Sequence, residues 1–131
     1  MAVLDTDFLI NLMTGDPGAV AFLERMAEGY DPVSVSAITV MQLHHGIARA
    51  GLPEREARKV ELVLKGTTVH AFDRDIAALA GRIDGELAAR GKPIGAADVI
   101  VGATALFYNV PVVTSNAKNF SRIKGLSITA Y

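Results

Sequence analysis

The sequence predicts a three-layer α/β/α domain with a short-stranded, mostly parallel central sheet. Three observations carry that expectation. Short apolar runs such as "AVL", "PVSVS" and "VPVVTS" alternate with longer stretches of helical periodicity. These runs are short, continuous and apolar, as strands covered on both faces should be. The chain has 131 residues, half of them hydrophobic, so it can bury one sizeable core but not two ordinary ones, and disorder is not expected. A single domain over residues 1–131 is expected.

Ala2 to Leu4 reads as a buried strand. Asp7 to Met13 is helical until "TGDPG" breaks it with Gly15, Pro17 and Gly18. A second helix is expected from about Ala19 to Glu28, with Val20, Leu23 and Ala27 on one face and Gly29 at its end. "PVSVS" is a β-branched strand reaching Ser36. Val40, Leu43 and Ile47 then recur at helical spacing in "AITVMQLHHGIARAG". "PEREARKVELVLKG" is a further helix, with Pro53 in its first turn and Gly66 past its end. "TTVHAF" is a strand, and Asp73 caps a helix running through Leu87. Gly91 and Pro93 separate it from the helix of "GAADVIVGATALFYN". "VPVVTS" leads a strand to Thr114, and "LSITAY" forms a last short strand. No internal repeat, linker or low-complexity segment interrupts this alternation.

Composition narrows the function. No apolar run approaches the roughly 20 residues of a membrane helix. The first residues do not read as a signal peptide, since a basic region is missing and Asp5 interrupts the apolar stretch. With no cysteine, disulfides and thiolate metal sites are excluded. A soluble, cytoplasmic protein is expected. The formal net charge of −1 argues against a protein that coats nucleic acid through a broad basic surface. It leaves room for a small acidic metal site assisted by local Lys and Arg.

In parallel α/β sheets, sites form beyond the carboxyl ends of the strands. The polar residues at those ends are Asp5, Ser36 with the turn after it, and Thr114, Ser115 and Asn116. Asp5 either caps the next helix or holds a metal ion; Asp7 reads as a cap or a supporting group. Asp98 stands in an otherwise apolar helix, where a carboxylate is costly unless paired, capping or bound to a cation. If that helix begins near Ala96, the first-turn dipole also favours an anion there. Thr39 and Gln42 have capping-box spacing, so Gln42 either makes a local hydrogen bond or presents a polar group to the site. Asn116 and Asn119 follow a strand, where Asn is a common turn residue. His44, His45 and His70 show no ligand spacing and read as surface or interface residues. No GxSxG, phosphate-binding or dinucleotide loop is present. Lys92, Lys118, Arg122 and Lys124 flank the site segments as solvated charges that can also attract phosphate.

Taken together, "LDTDFLINL", "VSAITVMQLHHGIARA", "AARGKPIGAADVIVGATAL" and "VPVVTSNAKNFSRIKGL" resemble a PIN-domain ribonuclease, specifically the VapC-type toxin of bacterial toxin–antitoxin pairs. The order and spacing of the four segments across nearly the whole chain carry the resemblance. It implies a PIN-like fold and Mg²⁺- or Mn²⁺-dependent hydrolysis of RNA phosphodiester bonds, leaving a 5′-phosphate and a 3′-hydroxyl. Carried over, the family's first acid is Asp5 and its third is Asp98, the two metal ligands. The second, usually a Glu, is Gln42 here, and the fourth, often an Asp, is Asn116. Thr114 matches the hydroxyl residue beside the site. The resemblance also implies a homodimer and a cognate VapB-type antitoxin covering the acids, with the helices at "AVAFLERM" and "PEREARKVELVL" as contact surfaces.

Gln keeps the size and one acceptor oxygen of Glu but loses the charge, so the cation is expected to bind less tightly. Three explanations of this departure stay open: a naturally attenuated enzyme, a deliberately weakened toxin, and a non-catalytic relative. Two alternatives stand beside the metal-dependent ribonuclease. One is a PIN-like module that binds RNA or antitoxin without cutting. The other is a haloacid-dehalogenase-like phosphatase with Asp5 as nucleophile and Asp7 as acid/base. That class expects Thr or Val two residues after the second Asp, where this chain has Leu9, together with a downstream Lys and a paired acidic motif; the late segment offers only Asp98.

Overall fold

A computed structural model describes residues 1–131. The elements are β1 (Ala2–Leu4), α1 (Thr6–Met13), α2 (Pro17–Glu28), β2 (Val33–Ser36), α3 (Ala37–Arg49), α4 (Pro53–Leu64), β3 (Thr68–His70), α5 (Arg74–Ala89), α6 (Ala96–Phe107), β4 (Val112–Val113), α7 (Ala117–Phe120) and β5 (Ile128–Thr129). The five strands form one sheet in the order β3-β2-β1-β4-β5, and every pairing is parallel. The first strand is therefore central. The chain builds outward from it through β2 and β3, then crosses to β4 and β5 on the other side. Strand order reverses between β1 and β4, which is where open parallel sheets place their ligands.

Alternation along the strands divides the core in two. Val3 and Val112 face one layer, packing with Ile76, Leu87, Val101 and Phe120 from α5, α6 and α7. Ala2, Leu4, Val35 and Val113 face the other, packing with Phe8, Leu9, Phe22 and Leu43 from α1, α2 and α3 and with Val60 of α4. Each large side chain removed from water here contributes about 1.5–3 kcal/mol, so a one-residue register slip would turn both cores inside out.

Helix starts follow the expected chemistry. Asp5, Asp16, Ser36 and Asp73 each cap a helix by accepting a backbone N–H from two or three residues on. Pro17 and Pro53 occupy the first turns of α2 and α4.

Two expectations are corrected, and one element is additional. The inward face of α2 is Ala19 and Phe22, with Val20 exposed. Phe22 sits edge-on to Phe8, 5.7 Å between ring centroids, and an aromatic anchor outcompetes a smaller β-branched residue for the core. His70 is buried and not a surface residue; it stacks on Tyr108 with ring centroids 4.3 Å apart. The short helix α7 went unforeseen, because four residues are too few to show periodicity.

Helix α7 and the segment after it are seated by Gly102 in the middle of α6. A Cβ added there would collide with Ile123 Cδ1, with Phe120 and Leu126 also touching it. The missing side chain lets this segment lie directly on α6.

Candidate active site

Parallel register brings the chain's polar strand ends to one edge. Leu4 pairs with Val113, so the next residues, Asp5 and Thr114, stand side by side at the point where strand order reverses. Asp5 is buried, and both its oxygens are engaged. Oδ1 accepts the Phe8 N–H at 2.7 Å, and Oδ2 accepts the Thr114 hydroxyl. The cap and the site are thus the same residue, and the two readings of Asp5 are compatible. Thr114 Oγ1 in turn accepts the Asn116 N–H at 2.8 Å.

Burial pushes the Asp5 carboxyl up to about 6, against the hydrogen bonds from Thr114 and Phe8; the charges of Asp7 and Asp98 raise it further. Asp98, in the first turn of α6, is likewise raised, first by burial and then by Asp7, while the Asn119 amide opposes the shift. Asn119 Nδ2 donates to Asp98 Oδ2 at 3.3 Å.

Thr6, Asp7, Gln42, His45 and Asp98 line a groove of about 540 Å³, with Ile10 and Met41 as its apolar part. Gln42 reaches it from α3, and its Oε1 accepts the Thr6 hydroxyl at 2.5 Å across 36 positions of sequence. The Thr39 and Thr6 hydroxyls lie 3.2 Å apart, so a buried Thr39 supports Thr6 rather than capping α3, a task that falls to Ser36. With its carbonyl oxygen engaged, Gln42 has its amide N–H donors left.

The structure therefore gathers Asp5, Thr114, Asp98 and Gln42 at the carboxyl edge of the sheet. Asn116 reaches the site through its backbone N–H alone; the amide side chain that meets an acid is that of Asn119. The family resemblance assigns Asn116 and not Asn119 to the site; only the turn into α7 decides which of the two side chains points back. Sequence reasoning missed Thr6, whose only signal was its place between Asp5 and Asp7. His45 lines the groove, whereas His44 is exposed outside it. Lys92, Lys118 and Lys124 are exposed and Arg122 is half-buried.

The donor set suits a hard divalent cation. Neither Asp5 nor Asp98 has a Lys, Arg or His partner, so each is a desolvated carboxylate without a counter-ion. No three His, Asp or Glu side chains close on a common point. An ion here would be held by few carboxylates and complete its shell with water, as Mg²⁺ commonly does. Oxygen donors and the absence of Cys disfavour zinc.

Comparison with known proteins agrees with this arrangement. The chain is 32% identical over 126 residues to the tRNA(fMet)-specific endonuclease VapC of Salmonella typhimurium, covering 96% of this chain and 94% of that protein. It is 30% identical over 124 residues to the Shigella flexneri protein of the same name, covering 95% and 92%. Among solved structures, DNA-bound VapBC from Salmonella typhimurium superposes with a TM-score of 0.90 at 31% identity, over 98% of this chain and 96% of that one. The PIN domain family matches residues 2–126. With its acids gathered at the edge of a parallel sheet and a match spanning almost its whole length, the chain belongs to the PIN domain family.

Proposed function

We propose that this protein is a divalent-metal-dependent endoribonuclease of the VapC toxin class, acting as one catalytic unit over residues 1–131. The observation that supports this most directly is the pair Asp5 and Asp98, drawn together from the end of β1 and the start of α6 and left without counter-ions. The relatives named as VapC endonucleases support RNA as the substrate. The phosphatase alternative loses ground to the family match.

Asp5 and Asp98 would hold Mg²⁺ or Mn²⁺, which when bound would supply Lewis-acid activation of the phosphodiester and of the attacking water. Thr114 fixes the Asp5 carboxylate through Oδ2, and Asn119 orients Asp98. Gln42, locked by Thr6, donates its amide hydrogens into the groove and orients water or phosphate there. Asn116 supports Thr114. The products carry a 5′-phosphate and a 3′-hydroxyl.

The partner we assign is a VapB-type antitoxin. Ile10 and Gln42 line both the acid groove and a larger groove of about 650 Å³ between α1, α3 and α4. A chain seated there would reach the acids, and an Arg from it would pair with them. Helix α4 leaves Leu62 exposed, while α2 buries Ala19 and Phe22 and leaves Val20 exposed. Exposed Phe107 and Tyr108 beside the free edge of β3 support a homodimer. No helix is long and apolar enough to cross a membrane, and we place the protein in the cytoplasm.

The test is cleavage of RNA by the purified protein with Mg²⁺ or Mn²⁺, with chelator, and with Asp98→Asn. Metal-dependent cleavage that the substitution abolishes supports the proposal. Gln42 in place of an acid favours the non-cutting module as the second reading; RNA binding with no cleavage at any metal concentration would establish it.

A further inference from the structure

Two arginines, which line a separate groove of about 180 Å³ with Arg82, Glu86 and Lys124, are tied down without being neutralised. Arg90, the residue after α5, donates through Nη2 to the Arg122 carbonyl at 3.2 Å. Arg122, just past α7, donates through Nη1 to the Pro93 carbonyl at 3.1 Å. Both acceptors are backbone carbonyls, so both guanidiniums keep their full charge. The protein's ion pairs are the N-terminus with Asp31 and Lys59 with Glu56. Glu86, one turn before Arg90, lines the same groove but pairs with neither arginine.

The segments these bonds tie together are those that carry the site. The loop through Pro93 feeds α6 and hence Asp98, and Arg122 follows Asn119, which holds Asp98. Arg82 and Lys124 share the groove, which sets four cations against Glu86 in a chain whose net charge is −1. Arg82 and Arg90 are about 12 Å apart along the helix axis at 1.5 Å per residue. Each guanidinium has five N–H donors in a fixed fork suited to phosphate, and each spends one on its carbonyl. Pre-positioned in this way, the arginines lose little side-chain entropy on binding an anion. The acid groove itself repels a polyanion, so an RNA strand needs a cationic seat next to it.

The geometry points to Arg90 and Arg122 as a phosphate clamp that seats the RNA backbone beside the scissile bond, with the strand continuing along α5 towards Arg82 and Lys124. This rests on RNA being the substrate. It places the nucleic acid on the α5–α7 side, away from the groove between α1, α3 and α4.

The experiment is anisotropy of a fluorescent single-stranded RNA with Asp98→Asn protein, which keeps the strand intact, titrated between about 50 and 200 mM salt. Arg90→Gln and Arg122→Gln together should weaken binding about tenfold or more and flatten the slope of log affinity against log salt by about 0.7 for each phosphate no longer neutralised. Lys124→Gln, which breaks no carbonyl tie, should flatten it too. Arg122→Lys should retain most of the slope. In protein that keeps Asp98, Lys124→Gln should leave Mn²⁺ affinity by calorimetry and the melting temperature unchanged, and the arginine variants should lose RNA affinity out of proportion to any change in either. Unaltered RNA affinity and slope would overturn the clamp. So would Arg122→Lys losing as much as Arg122→Gln, or losses that track Mn²⁺ affinity or melting, since those mark a structural role. Parent protein that binds no RNA at low salt would overturn both the clamp and the ribonuclease reading.

Discussion

The Thr114 hydroxyl donates to Asp5 Oδ2, joining the tips of two adjacent parallel strands across 109 positions of sequence. Among the hydrogen bonds to Asp5 it opposes the upward push of burial most strongly. Thr114→Val keeps shape and removes the donor, so the Asp5 carboxyl should move further up. Mn²⁺ affinity and RNA cleavage should fall about 10- to 100-fold. The Asn116 N–H also loses its acceptor, at a cost of about 1–3 kcal/mol in melting experiments. Thr114→Ser should keep both bonds and most activity, and a Ser variant as weak as Val would remove the hydroxyl from the mechanism.

Gln42→Glu adds a carboxylate to a groove that already holds Asp7 and Asp98. Without metal it should destabilise the protein slightly through like-charge repulsion. With Mn²⁺ it should raise affinity and cleavage about tenfold, because hard-ion binding scales with ligand charge. Calorimetry and cleavage with the same preparation check it; unchanged values for both would show that Gln42 does not limit the site.

Asp5 and Asp98 should differ in what their loss does to the fold. Asp98→Asn should abolish cleavage with the melting temperature unchanged or slightly raised, since a desolvated charge disappears. Asp5→Ala should abolish cleavage and also cost about 1 kcal/mol for the lost cap on α1, while Asp5→Asn keeps a capping oxygen. Full activity of Asp98→Asn would defeat the assignment.

Metal-free stability should fall as pH rises from about 4 to 6. Asp5 sits at about 6 in the fold against an ordinary 3.8, so within that window the folded state binds the proton more readily than the unfolded chain. The contribution is complete below the lower value, is lost through the upper one, and amounts to about 3 kcal/mol by pH 7. Asp98 acts in the same direction. His70 acts against it: burial lowers its pKa, so its contribution is present above 6.5 and lost as pH falls. Denaturant melts of His70→Phe with chelator isolate the carboxylates; stability independent of pH in that variant would refute the shift. Mn²⁺ should stabilise more at pH 7.5 than at pH 5.

Gly102 links packing to the site. Gly102→Leu should drive Ile123 and Phe120 off α6 at a cost of about 1–3 kcal/mol or more. Because Asn119 sits on the displaced segment, Mn²⁺ affinity should fall along with stability. A destabilised variant with full Mn²⁺ affinity would show that Asn119 does not orient Asp98.

Much of the fold was legible in the chain. Apolar runs, caps and breakers are local signals, and Asp5 and Asp73 cap the helices that follow them; Asp16, inside the stretch that reads as a breaker, also caps, so α2 starts at Pro17 and not at Ala19. The α2 face was not legible, because Val20 and Phe22 compete for the core and only packing against Phe8 settles it. The burial of His70 was hidden because Tyr108, its stacking partner, lies far along the sequence. Asn119 and Thr6 were hidden as site residues for a similar reason, since each acts on a side chain from another element.

By itself the sequence determined which residues are acids, where strands end and helices begin, and that those ends carry Asp5, Ser36 and Thr114. Tertiary structure alone decided that β1 is central with β2 and β4 on its flanks. That order puts Asp5 beside Thr114, lets α6 bring in Asp98, and leaves both carboxylates desolvated without a counter-ion. The physical reason is that strand end and helix start are fixed by interactions within a few residues. The environment of a charge is set by whatever the whole fold packs around it.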